Sequence, residues 1–221
     1  MFVKKLYRSV RAEDAALFTL SFLWICVIIQ CVFLSGTDTR SVAPDGTAES
    51  ALNLSVALRV RDLCAFLGVD TVMTRDTEEI SYPSEAKTIA AMKKWDTRRR
   101  VEIAESVDSP VFLSIHQNIY PSSGPHGSQV LYAQNEPSRA LAELIQSRLT
   151  AALLPENRRV PVPAGKDIYI MSHVQCTAVL VECGFLSHPQ ELSLLQSSDY
   201  QKKIASVLTA CYLQFTEKGV L

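Results

Sequence analysis

Apolar and polar positions are spread unevenly along the chain. Ala15–Leu34 runs for 20 positions without a charged side chain. At 1.5 Å per residue a helix of that length reaches about 30 Å, the thickness of a bilayer's hydrocarbon core. This predicts a transmembrane anchor over 15–34 behind a cytoplasmic tail at 1–14. Two other readings stay open. A cleaved signal peptide has an apolar region of about 7–15 residues, and a buried strand drawn from Val27, Ile28, Ile29, Val32 and Phe33 suits the β-branched composition. Residues 35–48 are polar and punctuated by Gly36, Pro44 and Gly46, which marks a linker.

Beyond the linker the periodicity changes. Val56, Val60, Leu63 and Leu67 recur on one helical face, predicting a helix over Glu49–Leu67 that stops at Gly68. Val69–Thr74 reads as a strand, Arg75–Lys94 as a long surface loop, and Asp96–Glu105 as a helix capped by Asp96 or Thr97. Val111–Ile115, Ser128–Tyr132 and Ala178–Val181 are short apolar runs of the kind buried in a sheet. Ser138–Leu153 is an amphipathic helix, and two more close the chain. Ser187 with Gln190, and Ser198 with Gln201, fit the capping-box pattern that opens helices. Alternating helices and buried strands predict an α/β fold, a three-layer sandwich of helices around a mostly parallel or mixed sheet.

Composition narrows the function. Lys and Arg total 22 against 23 Asp and Glu, a formal net charge of −1, so no nucleic-acid partner is expected. Lys4, Lys5, Arg8 and Arg11 precede the apolar run, which by the positive-inside tendency keeps the N-terminus cytoplasmic. The predicted localisation is a single-pass cell-membrane protein with an extracytoplasmic C-terminal domain. Hydrophobic residues make up 48% of the chain, ample for a core. Cys64, Cys176, Cys183 and Cys211 are scattered without a C-x-x-C pair, which predicts buried free thiols. No G-x-S-x-G, P-loop or H-E-x-x-H motif is present.

Two residues stand where an α/β sheet gathers its chemistry, beyond the carboxyl ends of strands. His116 follows Val111–Ile115, where it either ligates a metal or ties a loop carbonyl. Glu182 follows Ala178–Val181 between Val181 and Cys183, so its carboxylate either pairs with a cation or performs chemistry. Glu49 opens a helix, where an acid is favoured by the dipole alone. His126, His173 and His188 read as loop or helix-start groups, and Arg98–Arg100 as a solvated charge run.

With these residues placed, the chain resembles the zinc-dependent N-acetylmuramoyl-L-alanine amidases, particularly the membrane-anchored germination and sporulation amidases of spore-forming bacteria. The resemblance rests on DGTAESALNLSVAL (45–58), VMTRD (72–76), Arg100, LSIHQN (113–118), HGSQVLY (126–132), AVLVECGFLSHP (178–189) and DYQKKIA (199–205). It implies an amidase-like catalytic domain over 49–221, with Glu49 and His116 as zinc ligands and Glu182 as the catalytic carboxylate. The implied reaction is hydrolysis, by zinc-activated water, of the amide between N-acetylmuramic acid and L-alanine in peptidoglycan. The family's first zinc histidine, in a D-P-G-H-G-G loop, has no counterpart. Its position falls on Leu34, and residues 35–48 hold at most a remnant of the metal loop. The resemblance thus implies a Zn²⁺ site one ligand short and a sheet lacking the family's first strand. The alternative function is a non-metal-binding relative that serves as a cell-wall or partner-binding module.

Overall fold

A computed structural model describes the backbone of residues 27–31 and, in full, residues 42–217. The elements in chain order are β1 (Val27–Cys31), α1 (Glu49–Phe66), β2 (Thr71–Met73), α2 (Ile89–Glu105), β3 (Val111–Asn118), β4 (Gln129–Tyr132), α3 (Glu136–Leu153), β5 (Val162–Pro163), α4 (Tyr169–His173), β6 (Thr177–Phe185), α5 (Pro189–Gln196) and α6 (Ser198–Glu217). They form one six-stranded sheet in the order β2-β1-β3-β6-β4-β5. Only the β4–β6 pairing is antiparallel, so the sheet is mixed, as the alternation of elements predicted.

Successive strand residues point to opposite faces, and the two faces carry different cores. Val111, Leu113, Ile115, Val179 and Val181 pack with α1, α3 and α6. Phe112, Ala178 and Leu180 pack with Val101 and Ala104 of α2 and Ile170 and Met171 of α4. Helices therefore cover both faces, giving the three expected layers.

Two expectations fail at the N-terminal side. The sheet does not lack its first strand: β1 pairs in parallel with β2 on one side and β3 on the other. The physical reason is that a strand inside a parallel sheet needs an uncharged, β-branched run, and hydrophobicity alone does not separate that from a bilayer helix. The helix expected over 15–34 accordingly does not hold at Val27–Cys31. Residues 15–26 and 32–34 lie outside the described residues, among which no helix is long and apolar enough to cross a membrane.

Smaller differences have local causes. α2 begins at Ile89 rather than Asp96, because Thr88 is its cap and accepts from the Ala91 N–H at 3.1 Å. The Thr97 hydroxyl instead donates back to the Lys93 carbonyl. His188, not Ser187, caps α5. Gln201 turns inward, donating to the Leu195 carbonyl and accepting from Ser55, rather than closing a capping box. Arg100 is 2% exposed rather than solvated, with Nε and Nη2 on the Asp96 carboxylate at 2.9 and 2.6 Å. Cys64, Cys183 and Cys211 are buried free thiols, as expected, and Cys176 is a half-buried one.

Candidate active site

β3 and β6 run in parallel with His116 directly beside Glu182. β4 runs antiparallel on the other side of β6 with Gln129 opposite Glu182. Paired residues project to the same face of a sheet, with Cβ atoms about 5 Å apart. Gln129, Glu182 and His116 therefore form one row across three strands, near the carboxyl ends of β3 and β6.

Glu49 enters this row from above, as the first residue of α1. Its Oε1 lies 3.3 Å from His116 Nδ1, and the carboxylate is 7% exposed. The same oxygen accepts from Asn53 Nδ2 at 2.9 Å and from the Gln117 N–H at 3.2 Å. Asn53 stands four residues on, the spacing that places two side chains on one helix face. Burial alone would push the Glu49 carboxyl up. The His116 imidazole, Asn53 and Gln117 outweigh it and hold the group below the usual carboxylate range. Glu49 is thus an anion fixed against an imidazole.

Glu182 has the opposite character. Burial is the main influence; the His116 imidazole opposes it and the Glu49 charge adds a smaller upward push, so its carboxyl is pushed up to about 7. Its Oε2 is buried and has no hydrogen-bond partner among the described residues. Two acids with separated affinities for a proton, one fixed as an anion and one able to exchange a proton near neutrality, are the arrangement general acid–base chemistry needs.

The three residues singled out in the sequence are therefore brought together. The remaining histidines are placed elsewhere. His173 stacks on Tyr169 ahead of the N-terminal end of β6, whereas Glu182 lies toward the other end. His126 Nδ1 donates to the Gly124 carbonyl at 2.9 Å, and the ring faces the His188 ring at 5.2 Å. Sequence reasoning missed Asn53, Gln117, Gln129 and Glu191. Asn53 had a signal in its spacing from Glu49, whereas Gln129 becomes visible only through strand register. Glu191 is a buried acid that accepts from the Gly127 and Phe185 N–H groups at 2.9 and 2.8 Å, tying the loop before β4 to the end of β6.

As a metal site, the chemistry of the donor set fits in part. Glu49 and His116 offer an oxygen and a nitrogen side by side, two of the three protein ligands catalytic zinc usually takes. The Glu182 Oε2 is buried without a partner among the described residues and could accept from a polar guest. Among the described residues no group of three His, Cys, Asp or Glu side chains is arranged to hold a metal ion. The position that the resemblance gives to a first histidine, Leu34, lies outside the described residues.

A family profile described as N-acetylmuramoyl-L-alanine amidase matches residues 31–211, most of the chain. The chain belongs to that family. A germination-specific N-acetylmuramoyl-L-alanine amidase of Bacillus subtilis is 36% identical over 193 residues, covering 82% of this chain and 79% of that protein. The CwlD amidase of Clostridioides difficile, solved in complex with the GerS lipoprotein, superposes with a TM-score of 0.82 at 28% identity, covering 88% of this chain and 99% of that one. The amidase AmiC2 of Nostoc punctiforme gives 0.72 at 25% identity, covering 87% and 97%. This amidase is accordingly an enzyme, a peptidoglycan hydrolase, and the alternative of a non-catalytic module is not favoured. The family match begins at residue 31, the last residue of β1.

Proposed function

We propose that this amidase cleaves the amide between N-acetylmuramic acid and L-alanine with Glu182 as the catalytic acid–base group, and that its setting is the cortex or wall chemistry of germination. The observation that carries the mechanism is the Glu182 carboxyl, placed in one row with His116 and carrying a buried, unpartnered oxygen. The germination setting is supported by the 36% likeness to a germination-specific relative.

Glu49 and His116 are the residues that would hold zinc. When bound there, zinc supplies Lewis acidity toward water and the amide carbonyl. The chain's own part is proton handling. Glu182 accepts a proton from the attacking water as the oxygen adds to the carbonyl carbon, then delivers it to the amide nitrogen as the C–N bond breaks. The products are the free lactyl carboxylate and the amino terminus of the stem peptide. Asn53 and Gln117 keep Glu49 aimed at His116 throughout, since both hold the same carboxylate oxygen.

Metal analysis of the full chain tests the ligand assignment without recourse to turnover. Zinc carried by the full chain is expected to fall well below the wild-type content in both Glu49→Ala and His116→Ala, with Glu182→Gln retaining it. Equal zinc content in all four proteins would remove Glu49 and His116 from the metal site.

The substrate lies outside the cytoplasmic membrane, and we place the catalytic domain there, exported by the basic and apolar leader. Because β1 takes up Val27–Cys31, the uncharged run left ahead of the sheet is residues 15–26. At 1.5 Å per residue this reaches about 18 Å as a helix, short of a bilayer core but within the range of a signal-peptide apolar region. Protease added to intact protoplasts is expected to digest the domain, and protection of the domain would place it inside. Retention in the membrane fraction or release to the medium then reports whether the leader stays attached.

A further inference from the structure

At the β4 end of the catalytic row lies a cation that the reaction itself does not use. Arg159 stands in the loop between α3 and β5, and its guanidinium is fixed on three sides. Nε donates to the His126 carbonyl at 2.8 Å and Nη1 to Gln129 Oε1 at 3.0 Å. The guanidinium carbon sits 4.6 Å over the centre of the Phe185 ring. Gln129 is the residue paired with Glu182, and its Nε2 is engaged by the Val160 carbonyl at 3.1 Å.

The loop that carries Arg159 is itself stitched to β4. Buried Asn157 donates to the Ser128 carbonyl at 2.8 Å and accepts from the Arg159 N–H at 3.0 Å. Gly127 approaches the Asn157 amide so closely, with φ at +88°, that a Cβ there would fall 2.6 Å from Oδ1. A long, rotamer-rich side chain is thus held in one geometry, which lowers the entropy lost when a ligand binds.

The charge is nevertheless unanswered. Arg159 is half-buried, and among the described residues no carboxylate pairs with it, whereas Arg100 and Arg61 each have one and Arg139 has two. Of the five N–H groups of a guanidinium, two are engaged, one on Nε and one on Nη1, so three donors, both of those on Nη2 among them, are left to meet an anion. A preorganised cation one side chain removed from the catalytic acid, with its Nη2 donors unused, fits an anionic group of the substrate.

Resting on the amidase reading above, we infer that Arg159 determines specificity by binding a carboxylate on the peptide side of the scissile amide. In a peptidoglycan stem that group is the free carboxylate of the glutamate that follows L-alanine. The row of side chains gives the pose. The amide sits over Glu182 and His116, and the stem runs along β4 toward Arg159.

The test compares two soluble substrates, N-acetylmuramoyl-L-alanyl-D-glutamate γ-methylamide, whose one free carboxylate is the glutamate α-carboxylate, and the same compound with that carboxylate also amidated, using the full chain loaded with zinc. The wild type is expected to favour the acid by at least about tenfold in kcat/KM, mostly through KM, with the preference shrinking as salt is raised. Arg159→Ala and Arg159→Gln are expected to bring the acid-to-amide ratio close to one, and Arg159→Lys to leave an intermediate ratio. A wild type without preference, or a preference that survives in both Arg159→Ala and Arg159→Gln, overturns the assignment. A structural role alone would lower both substrates together and leave the ratio intact, which also overturns it. Calorimetric binding of both compounds to Glu182→Gln separates the two layers of the argument. Arg159-dependent preference in binding without any wild-type turnover counts against the hydrolase reading alone. Turnover without acid preference counts against the Arg159 assignment alone.

Discussion

Glu182→Gln is expected to lower kcat by about 10³-fold or more while leaving the protein folded. General acid–base catalysis is typically worth 10²–10⁴-fold, and here one carboxyl both takes the proton from water and returns it to the leaving nitrogen. An amide keeps the shape and one acceptor but does neither. The measurement is release of stem peptide from purified cell wall, together with thermal unfolding of the same preparation. Unfolding distinguishes lost chemistry from lost structure, because the substitution is expected to stabilise the metal-stripped protein. The Glu182 carboxyl is raised from 4.5 to about 7 in the fold. Below pH 4.5 it is protonated in both folded and unfolded chains and costs nothing. Between pH 4.5 and 7 the unfolded chain releases the proton first, so the folded state loses ground progressively, and above pH 7 the loss is complete. At about 1.4 kcal/mol per unit, the gain for Glu182→Gln is of order 3 to 4 kcal/mol above pH 7 and vanishes at pH 4. A fall in Tm alongside the fall in kcat would instead mark Glu182 as a structural residue.

The three site residues were legible in the sequence for different reasons, and so were the failures. His116 and Glu182 each end an apolar run, and strand ends are where an α/β sheet exposes its chemistry. The parallel register that places them side by side follows from β3 and β6 being neighbours, which no local pattern states. Glu49 was readable only by resemblance, since an acid in a first helical turn has a sufficient local reason to be there. β1 was misread because length and lack of charge are properties shared by a bilayer helix and a buried strand. Deciding between them needs the partner strands, Thr71–Met73 and Val111–Ile115, which lie far along the chain. The same limit hid Arg159. In sequence it is one of two adjacent arginines in a loop, and its role depends on Gln129, His126 and Phe185 arriving from three separate segments. Charged residues in particular escape sequence reading, because composition predicts them outside and only tertiary partners bring them in.

Arg100 carries that lesson into energetics, and Asp96→Ala is expected to be the most destabilising single change in the domain's polar interior. The pair is an i, i+4 couple on α2 with Arg100 at 2% and Asp96 at 13% side-chain exposure, joined by two hydrogen bonds. Removing the carboxylate leaves a guanidinium without its counter-ion in a place water reaches poorly, where Nη1 already has no partner among the described residues. Breaking one side of a buried pair typically costs about 3–5 kcal/mol. At about 2–4 °C per kcal/mol for a chain of this size, Tm should fall by roughly 10 °C. The loss reaches toward the site, because Arg75 also acts electrostatically on Asp96 and donates to the Ser50 carbonyl at 2.6 Å, one residue from Glu49. The decisive comparison is the double variant Asp96→Ala with Arg100→Met, which removes both charges and keeps an apolar stem at the buried position. If the cost in Asp96→Ala comes from an abandoned charge, the double variant recovers much of the lost Tm. If the cost comes from lost packing or lost helix structure, the two substitutions add, and the double variant is the less stable of the two.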